Sequence, residues 1–270
     1  MLELNGRTAM VTGAAKGIGR GIALALSRRG CNLALADIDE TSLTCTAKEI
    51  AASGVRVSHH HLDVADAEAV AAFPNTVKRE HGGVDLLVNN AGVALGGTFE
   101  QISESDFEWL FAINFWGAVR MTRAFLPLLH LSDEGRLVYI SGLIGLIAPP
   151  GQTAYAASKY AVRGFSDSLR HELESARIGV TVVYPAGVAT SIAKNARRPS
   201  GMSVEEAARK IHQAEAMLTM RPEHVGEIIV RGIERRRARV LVGSRARIAS
   251  IIERLFPVSY WKLIRTLMKS

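Results

Sequence analysis

The chain has 270 residues, 48% of them hydrophobic, enough for the core of one large α/β domain. No apolar run approaches membrane-spanning length, and the chain opens on a strand-like segment where a secretory leader would be charged and then apolar, so a cytoplasmic protein is expected. The net charge of +7 is concentrated late, with 17 Lys/Arg against 7 Asp/Glu from Lys194 onward, but no helix-turn-helix, finger or RNA-binding signature accompanies it, which excludes nucleic acid from the expected partners.

Arg7 to Val11 is predicted to be a strand, and Thr12-Gly13-Ala14-Ala15-Lys16-Gly17-Ile18-Gly19 leads from it into a helix marked by Ile22, Leu24, Ala25 and Leu26. A glycine-rich turn between strand and helix lets main-chain N–H groups approach a pyrophosphate at the positive helix end. Asn32 to Ala36 forms a second predicted strand ending at Asp37, 18 residues past Gly19. A carboxylate there can accept hydrogen bonds from an adenosine ribose and repel a 2′-phosphate. The expected cofactor is therefore NAD, while Lys16, a cation inside the turn, keeps NADP as the alternative. Cys31 and Cys45 form no CxxC or paired framework and read as small buried residues.

A helix from about Glu40 to Ala52 precedes a strand over Val55 to His60, after which Asp63 and Val64 fall at a strand end beside the predicted adenine pocket. His59-His60-His61 invites a metal, but successive strand side chains point to opposite faces, so no metal site is expected. A helix over Ala67 to His81 leads to the strand Asp85 to Val88 and the turn Asn89-Asn90-Ala91-Gly92. This alternation predicts an α/β fold, a parallel sheet with helices on both faces and ligands at the carboxyl ends of its strands.

Ser103 and Asp106 are candidate caps of a helix running to about Leu126, with Asn114 in its middle as either a satisfied core amide or part of a functional hydrogen-bond chain. Leu137 to Ile140 is a buried strand ending at Ser141-Gly142, and Gln152 to Ala176 has helical spacing that places Tyr155 and Lys159 one turn apart on one face. A phenol has a reference pKa of about 10, and an ammonium beside it favours the phenolate, a pairing suited to proton exchange with an alcohol oxygen. Ile178 to Val183 is the next strand, followed by Pro185-Ala186-Gly187-Val188-Ala189-Thr190.

Residues 188–221, with Pro199, Gly201 and an amphipathic Val204 to Leu218, are predicted to form a substrate lid. Its Ile192, Met202, Val204, Ile211, Met217, Leu218 and Met220 face either a lipophilic substrate or one another. A helix at Val225 to Ile233 and a strand at Val240 to Val242 complete a single domain over residues 1–243. Residues 244–270 form a basic extension in which Ile248, Ile251, Ile252 and Leu255 share one helical face. After Pro257, the apolar residues Tyr260, Leu263, Ile264 and Leu267 recur beside Arg254, Lys262, Arg265 and Lys269 over a stretch reaching Met268. Such a stripe needs a cover, which the substrate cleft, a subunit interface or an anionic membrane can supply.

Taken together, Thr12-Gly13-x-x-x-Gly17-Ile18-Gly19, Asp63, Asn89-Asn90-Ala91-Gly92, Asn114, Tyr155-x-x-x-Lys159 and Pro185…Val188-x-Thr190 resemble the motifs of the short-chain dehydrogenase/reductase family over roughly residues 5–243. The resemblance implies a Rossmann-like, doubly wound sheet of seven mostly parallel strands, assembly as a homodimer or homotetramer, and an alcohol or carbonyl substrate. It implies Tyr155 as the acid/base, Lys159 as the residue that holds the nicotinamide ribose and lowers the tyrosine pKa, and Asn114 as support for a water-linked proton path. Gly13, Lys16, Gly17, Ile18, Gly19, Asp37, Asp63, Val64, Asn90, Ala91, Gly92, Pro185, Val188 and Thr190 become the dinucleotide contacts.

Two departures stand out. The family's substrate-binding serine, thirteen residues before the tyrosine, is Gly142 here, and Ser141 lies one residue too early. Losing one donor to a developing oxyanion costs about 10²–10³ in rate, unless Ser141, Thr153 or the substrate supplies another. Ala186 also replaces the usual glycine after Pro185, leaving Gly187 to absorb the turn. The alternative function is thus a dinucleotide-binding sensor or scaffold with weak catalysis.

Overall fold

The computed structural model of the protein describes residues 1–267. Seven strands, β1 (Thr8–Thr12), β2 (Asn32–Asp37), β3 (Val57–His61), β4 (Leu86–Asn89), β5 (Gly135–Ile140), β6 (Ile178–Pro185) and β7 (Arg239–Val242), form one sheet in the order β3-β2-β1-β4-β5-β6-β7. Every pairing is parallel, so the sheet is wholly and not mostly so. The chain winds outward from β1 to β3 and then returns to place β4 beside β1. This reversal opens the crevice where such sheets hold ligands.

Alternate strand residues divide between two cores. Ala9, Val11, Leu33, Leu35, Leu86, Val88, Val138 and Ile140 face α1 (Gly17–Ser27), α2 (Glu40–Ala51) and α8 (Pro222–Glu234). Met10, Ala34, Ala36, Leu87, Leu137 and Tyr139 face α3 (Ala67–His81), α5 (Ala118–Leu129) and α6 (Thr153–Glu172) on the other side. Because both faces are covered, the central strands need apolar residues at every position, which is why they read as unbroken runs. Full burial of each large aliphatic side chain contributes about 1.5–3 kcal/mol.

The expected long helix before β5 exists but is not uniform. It comprises α4 (Glu104–Phe111), a π-helical segment (Ala112–Gly117) and α5. Ser103 caps it by accepting from the Asp106 N–H, whereas Asp106 is no cap: its buried carboxylate pairs with Arg197 at 3.1 Å. The helix carrying Tyr155 ends at Glu172, earlier than its apolar pattern suggests, with a short 3-10 turn (Glu174–Ala176) after it. Cys31 is buried as expected, but Cys45 is exposed on the outer side of α2. α7 (Val204–Ala216) lies in the predicted lid, and α9 (Ser244–Leu255) and α10 (Tyr260–Leu267) follow β7. The expectations for Met268 and Lys269 lie outside the described residues. Among the described residues, no helix is long and apolar enough to cross a membrane.

Candidate active site

The turn between β1 and α1 is folded back on itself and locked from below by β4's exit. Gly13 and Gly17 take φ of 63° and 56°. A Cβ on Gly19 would lie 2.1 Å from the Gly13 carbonyl oxygen and 2.5 Å from Asn90 Nδ2, so only hydrogen fits there. Asn90 Nδ2 donates to the carbonyls of Thr12 (3.0 Å) and Gly13 (2.9 Å), and the Thr12 hydroxyl accepts from the N–H groups of Asn90 and Ala91. Asn90, expected as a cofactor contact, braces the cradle, and Thr12, quoted in the motif but given no role there, is its hub. Thr190 closes the far side, its Cγ2 3.0 Å from where a Gly17 Cβ would be. Val188 is buried, and Gly187 takes the positive φ of 71° that Ala186 need not.

At the end of β2, Asp37 turns its carboxylate toward this turn, accepting from the Ala15 N–H (2.9 Å) and the Asp39 N–H (3.1 Å). Lys16 does not point at the same place unopposed: its ammonium pairs with Asp39 at 2.6 Å. That hydrogen bond holds the Asp39 carboxyl down to about 2 and raises the Lys16 pKa. Asp63 ends β3's exit loop, accepting from the Ala65 N–H, and Val64 is buried against Gly117 of the π-helical segment.

The second half of the site is built on α6. Lys159 is buried, donates to the Ile140 carbonyl at 3.1 Å, and lies 5.7 Å from the centre of the Tyr155 ring. Burial pushes the Tyr155 phenol up to about 12 and the Lys159 ammonium down to about 8. The expected depression of the phenol by its lysine is thus not the dominant effect, because burial around the two groups outweighs the ammonium that lies over the ring. Asn114 sits within the π-helical segment, a distortion that often marks functional positions. Its side chain exchanges hydrogen bonds with Val93 N–H (2.8 Å) and Val93 carbonyl (3.1 Å), and donates to Ser158 Oγ (3.2 Å). Gly92 lies between the halves: a Cβ there would stand 3.2 Å from Asn114 Oδ1 and 3.5 Å from Lys159 Nζ. Asn114 is therefore a satisfied amide, and Gly92 adjoins both it and Lys159.

Ser141 is engaged within the fold. Its hydroxyl is buried, donates to the Lys159 carbonyl at 3.0 Å and packs over Gly145. Gly142 itself has φ 132° and ψ 171°, a conformation that L-residues other than glycine rarely adopt. Thr153 opens α6 as an exposed residue.

The predicted lid is strapped over the mouth. Arg197 pairs with β4-side residues through main-chain contact with Ala94 and Leu95, and its guanidinium lies 4.8 Å over the Trp109 ring as well as on Asp106. Of the lid's apolar residues, Met202 is buried near Gly97 and Met220 bridges to Val188, whereas Val204 and Met217 point to solvent. Only part of that set can meet a substrate.

A strand–glycine turn–helix cradle facing a half-buried tyrosine and its buried lysine defines a dinucleotide-type α/β protein. The short chain dehydrogenase family profile matches residues 7–201, and the chain belongs to the short-chain dehydrogenase/reductase family. It is 40% identical to SadH of Mycobacterium tuberculosis (strain H37Rv), over 98% of this chain and 96% of that protein. A short-chain dehydrogenase/reductase from Burkholderia phymatum, solved with NAD, superposes with a TM-score of 0.88 at 29% identity, covering 94% of this chain and 95% of that one. An alcohol dehydrogenase from Thermococcus sibiricus, solved with 5-hydroxy-NADP, gives 0.73 at 28% identity over 88% and 94% of the respective chains.

Proposed function

We propose that the protein is an NAD-preferring oxidoreductase acting on a secondary alcohol or ketone, with Tyr155 exchanging the proton. The observation that carries this reading is the placement of Lys159 beside Gly92, with the Tyr155 ring next to it, at the same sheet edge as the Gly13–Gly19 cradle. The cradle's exclusion of any Cβ at Gly19 fits the close approach of a pyrophosphate. When bound there, the dinucleotide would supply or take the hydride. Gly13, Gly17, Ile18 and Gly19 would hold its phosphates, Asp37 its adenosine ribose, Val64 the adenine, and Val188 and Thr190 the nicotinamide end. Lys159 would contact the second ribose, and Asn114 would hold the proton path open from Tyr155 through Lys159. Monitoring dinucleotide reduction across a panel of alcohols tests the reading, which fails if no alcohol or ketone is turned over with either cofactor.

Cofactor preference follows from charge. Asp37 faces the cradle while Lys16 is held by Asp39, so a 2′-phosphate would meet two carboxylates and a cation already paired. Like-charge contact in a partly desolvated site is worth a few kcal/mol. Asp37→Ala is expected to narrow the preference for NAD over NADP by roughly tenfold or more, measured as the ratio of dissociation constants. Wild-type protein that binds NADP more tightly would overturn this assignment.

The second reading, a dinucleotide-binding sensor with weak catalysis, is favoured by Gly142 and by the engagement of Ser141. Open space surrounds a Gly142 Cβ, whose nearest neighbour would be Ile144 N at 4.0 Å, so the obstacle to serine is the backbone alone. Gly142→Ser is expected to lower stability by about 1–3 kcal/mol in thermal or denaturant unfolding, without a large gain in turnover. A gain of about 10² or more would instead show an impaired serine site and favour the sensor reading.

A further inference from the structure

The sequence leaves the cover of the C-terminal stripe open, and the structure shows which part is uncovered. α9 buries Ala246, Ala249 and Ser250, and α10 sends Tyr260 and Ile264 against the cluster of Leu146, Ile147 and Tyr184. The opposite side of α9 carries Ile248, Ile251 and Leu255 at 53%, 59% and 66% exposure, and Val258 follows in the turn at 95%. Positions 248, 251 and 255 are three and four residues apart, so they form one stripe along the helix. Arg247 and Arg254 fall along one border of the stripe by helical spacing, and Arg245, Lys262 and Arg265 are also exposed. Residues 244–267 hold five Lys/Arg and a single acid, Glu253.

We propose that this face is a docking surface for an anionic lipid bilayer, on which α9 lies in the interface with its isoleucine–leucine stripe inserted and its arginines at the phosphates. An apolar stripe bordered by cations is the pattern of an interfacial helix, whose long basic side chains reach back to the headgroups. A second copy of the chain is the poorer occupant: a two-fold contact through this face would set Arg247 and Arg254 of one copy against those of the other, with no acid but Glu253 in residues 244–267 to offset them. An anionic surface turns the same charges into attraction. The face also adjoins the substrate side of the molecule. Tyr260 Oη accepts from the Ala148 N–H at 3.0 Å, and a groove of about 680 Å³ runs between Pro149, Pro150 and Gln152 on one side and Pro257, Tyr260 and Trp261 on the other. The bilayer would therefore meet the protein beside the segment that leads into Tyr155. The docking surface itself stands apart from the catalytic reading.

The test is co-sedimentation of the full-length protein with phosphatidylcholine vesicles with and without phosphatidylserine. Wild-type protein is expected to sediment with the anionic vesicles only, and less so as salt rises. Arg247→Gln with Arg254→Gln should weaken that binding by roughly 25-fold, at about fivefold per charge. Ile251→Asp with Leu255→Asp should abolish it. Both pairs are on the surface, and unchanged dinucleotide binding would show that each folds. Failure to bind anionic vesicles, equal binding to neutral ones, or insensitivity to either pair would overturn the proposal. If wild-type protein ignores vesicles and the aspartate pair lowers its sedimentation mass, the face belongs to a second copy instead.

Discussion

Replacing Tyr155 with phenylalanine is expected to lower turnover by about 10²–10⁴-fold while leaving the dinucleotide dissociation constant nearly unchanged. The ring would keep its packing against the cluster of Leu95, Leu110 and Ala154, and only the ionisable oxygen would be lost. The pH dependence should differ by direction. Burial holds the phenol up at about 12, so it keeps its proton throughout the neutral range and can donate it during carbonyl reduction. Alcohol oxidation needs the minority phenolate, so its rate should climb with pH. The Lys159 ammonium, brought down by burial, loses its charge as pH rises through about 8, and with it any help it gives the phenolate. Oxidation should therefore rise and then flatten near that pH, and Lys159→Met should remove the break. A Tyr155→Phe enzyme with wild-type turnover would place proton transfer on another group.

How far the sequence carried these conclusions depended on the range of the interaction involved. Strands buried on both faces announce themselves as short apolar runs, which made the central strands legible; the edge strand β3, with Val57 its one apolar residue, has no such run and was placed by the alternation of strands and helices, and the motif order pointed to the sheet that is observed. The glycine turn, Asp37 and the tyrosine–lysine spacing were equally plain, because their chemistry is local. What escaped depends on where atoms meet across the fold. The Arg197–Asp106–Trp109 strap joins residues about ninety positions apart, and a lone arginine in a basic stretch carries no mark of it. The π-helical segment around Asn114 has ordinary helical composition. Ser141 could be seen to be out of step, but its commitment to the Lys159 carbonyl, and the glycine-only backbone beside it, required the packed loop. Direct reasoning from charge also misjudged the tyrosine–lysine pair, since desolvation depends on burial that a one-turn spacing does not reveal.

Gly19→Ala is expected to weaken dinucleotide binding by roughly 100-fold, the upper end of what an overpacked methyl costs at about 1–3 kcal/mol. The added carbon would stand 2.1 Å from the Gly13 carbonyl oxygen and 2.5 Å from Asn90 Nδ2. Neither neighbour can retreat cheaply. The Gly13 carbonyl is itself the acceptor for Asn90, at 2.9 Å, and the main chain at Asn90 and Ala91 is tied to the Thr12 hydroxyl. Relief must come from separating the turn from α1, which spoils the convergence of N–H groups on the phosphates. Gly164→Ala is the control: it lies in α6 with nothing within 4 Å of its Cβ, so alanine should leave binding intact and raise stability by about 0.5–1 kcal/mol. Calorimetric titration with NAD, paired with thermal unfolding in its presence and absence, separates the two. The wild type and Gly164→Ala should be stabilised by NAD, and Gly19→Ala should not. If Gly19→Ala binds NAD like the wild type, the turn is not the phosphate cradle, and the site argued from it must lie elsewhere.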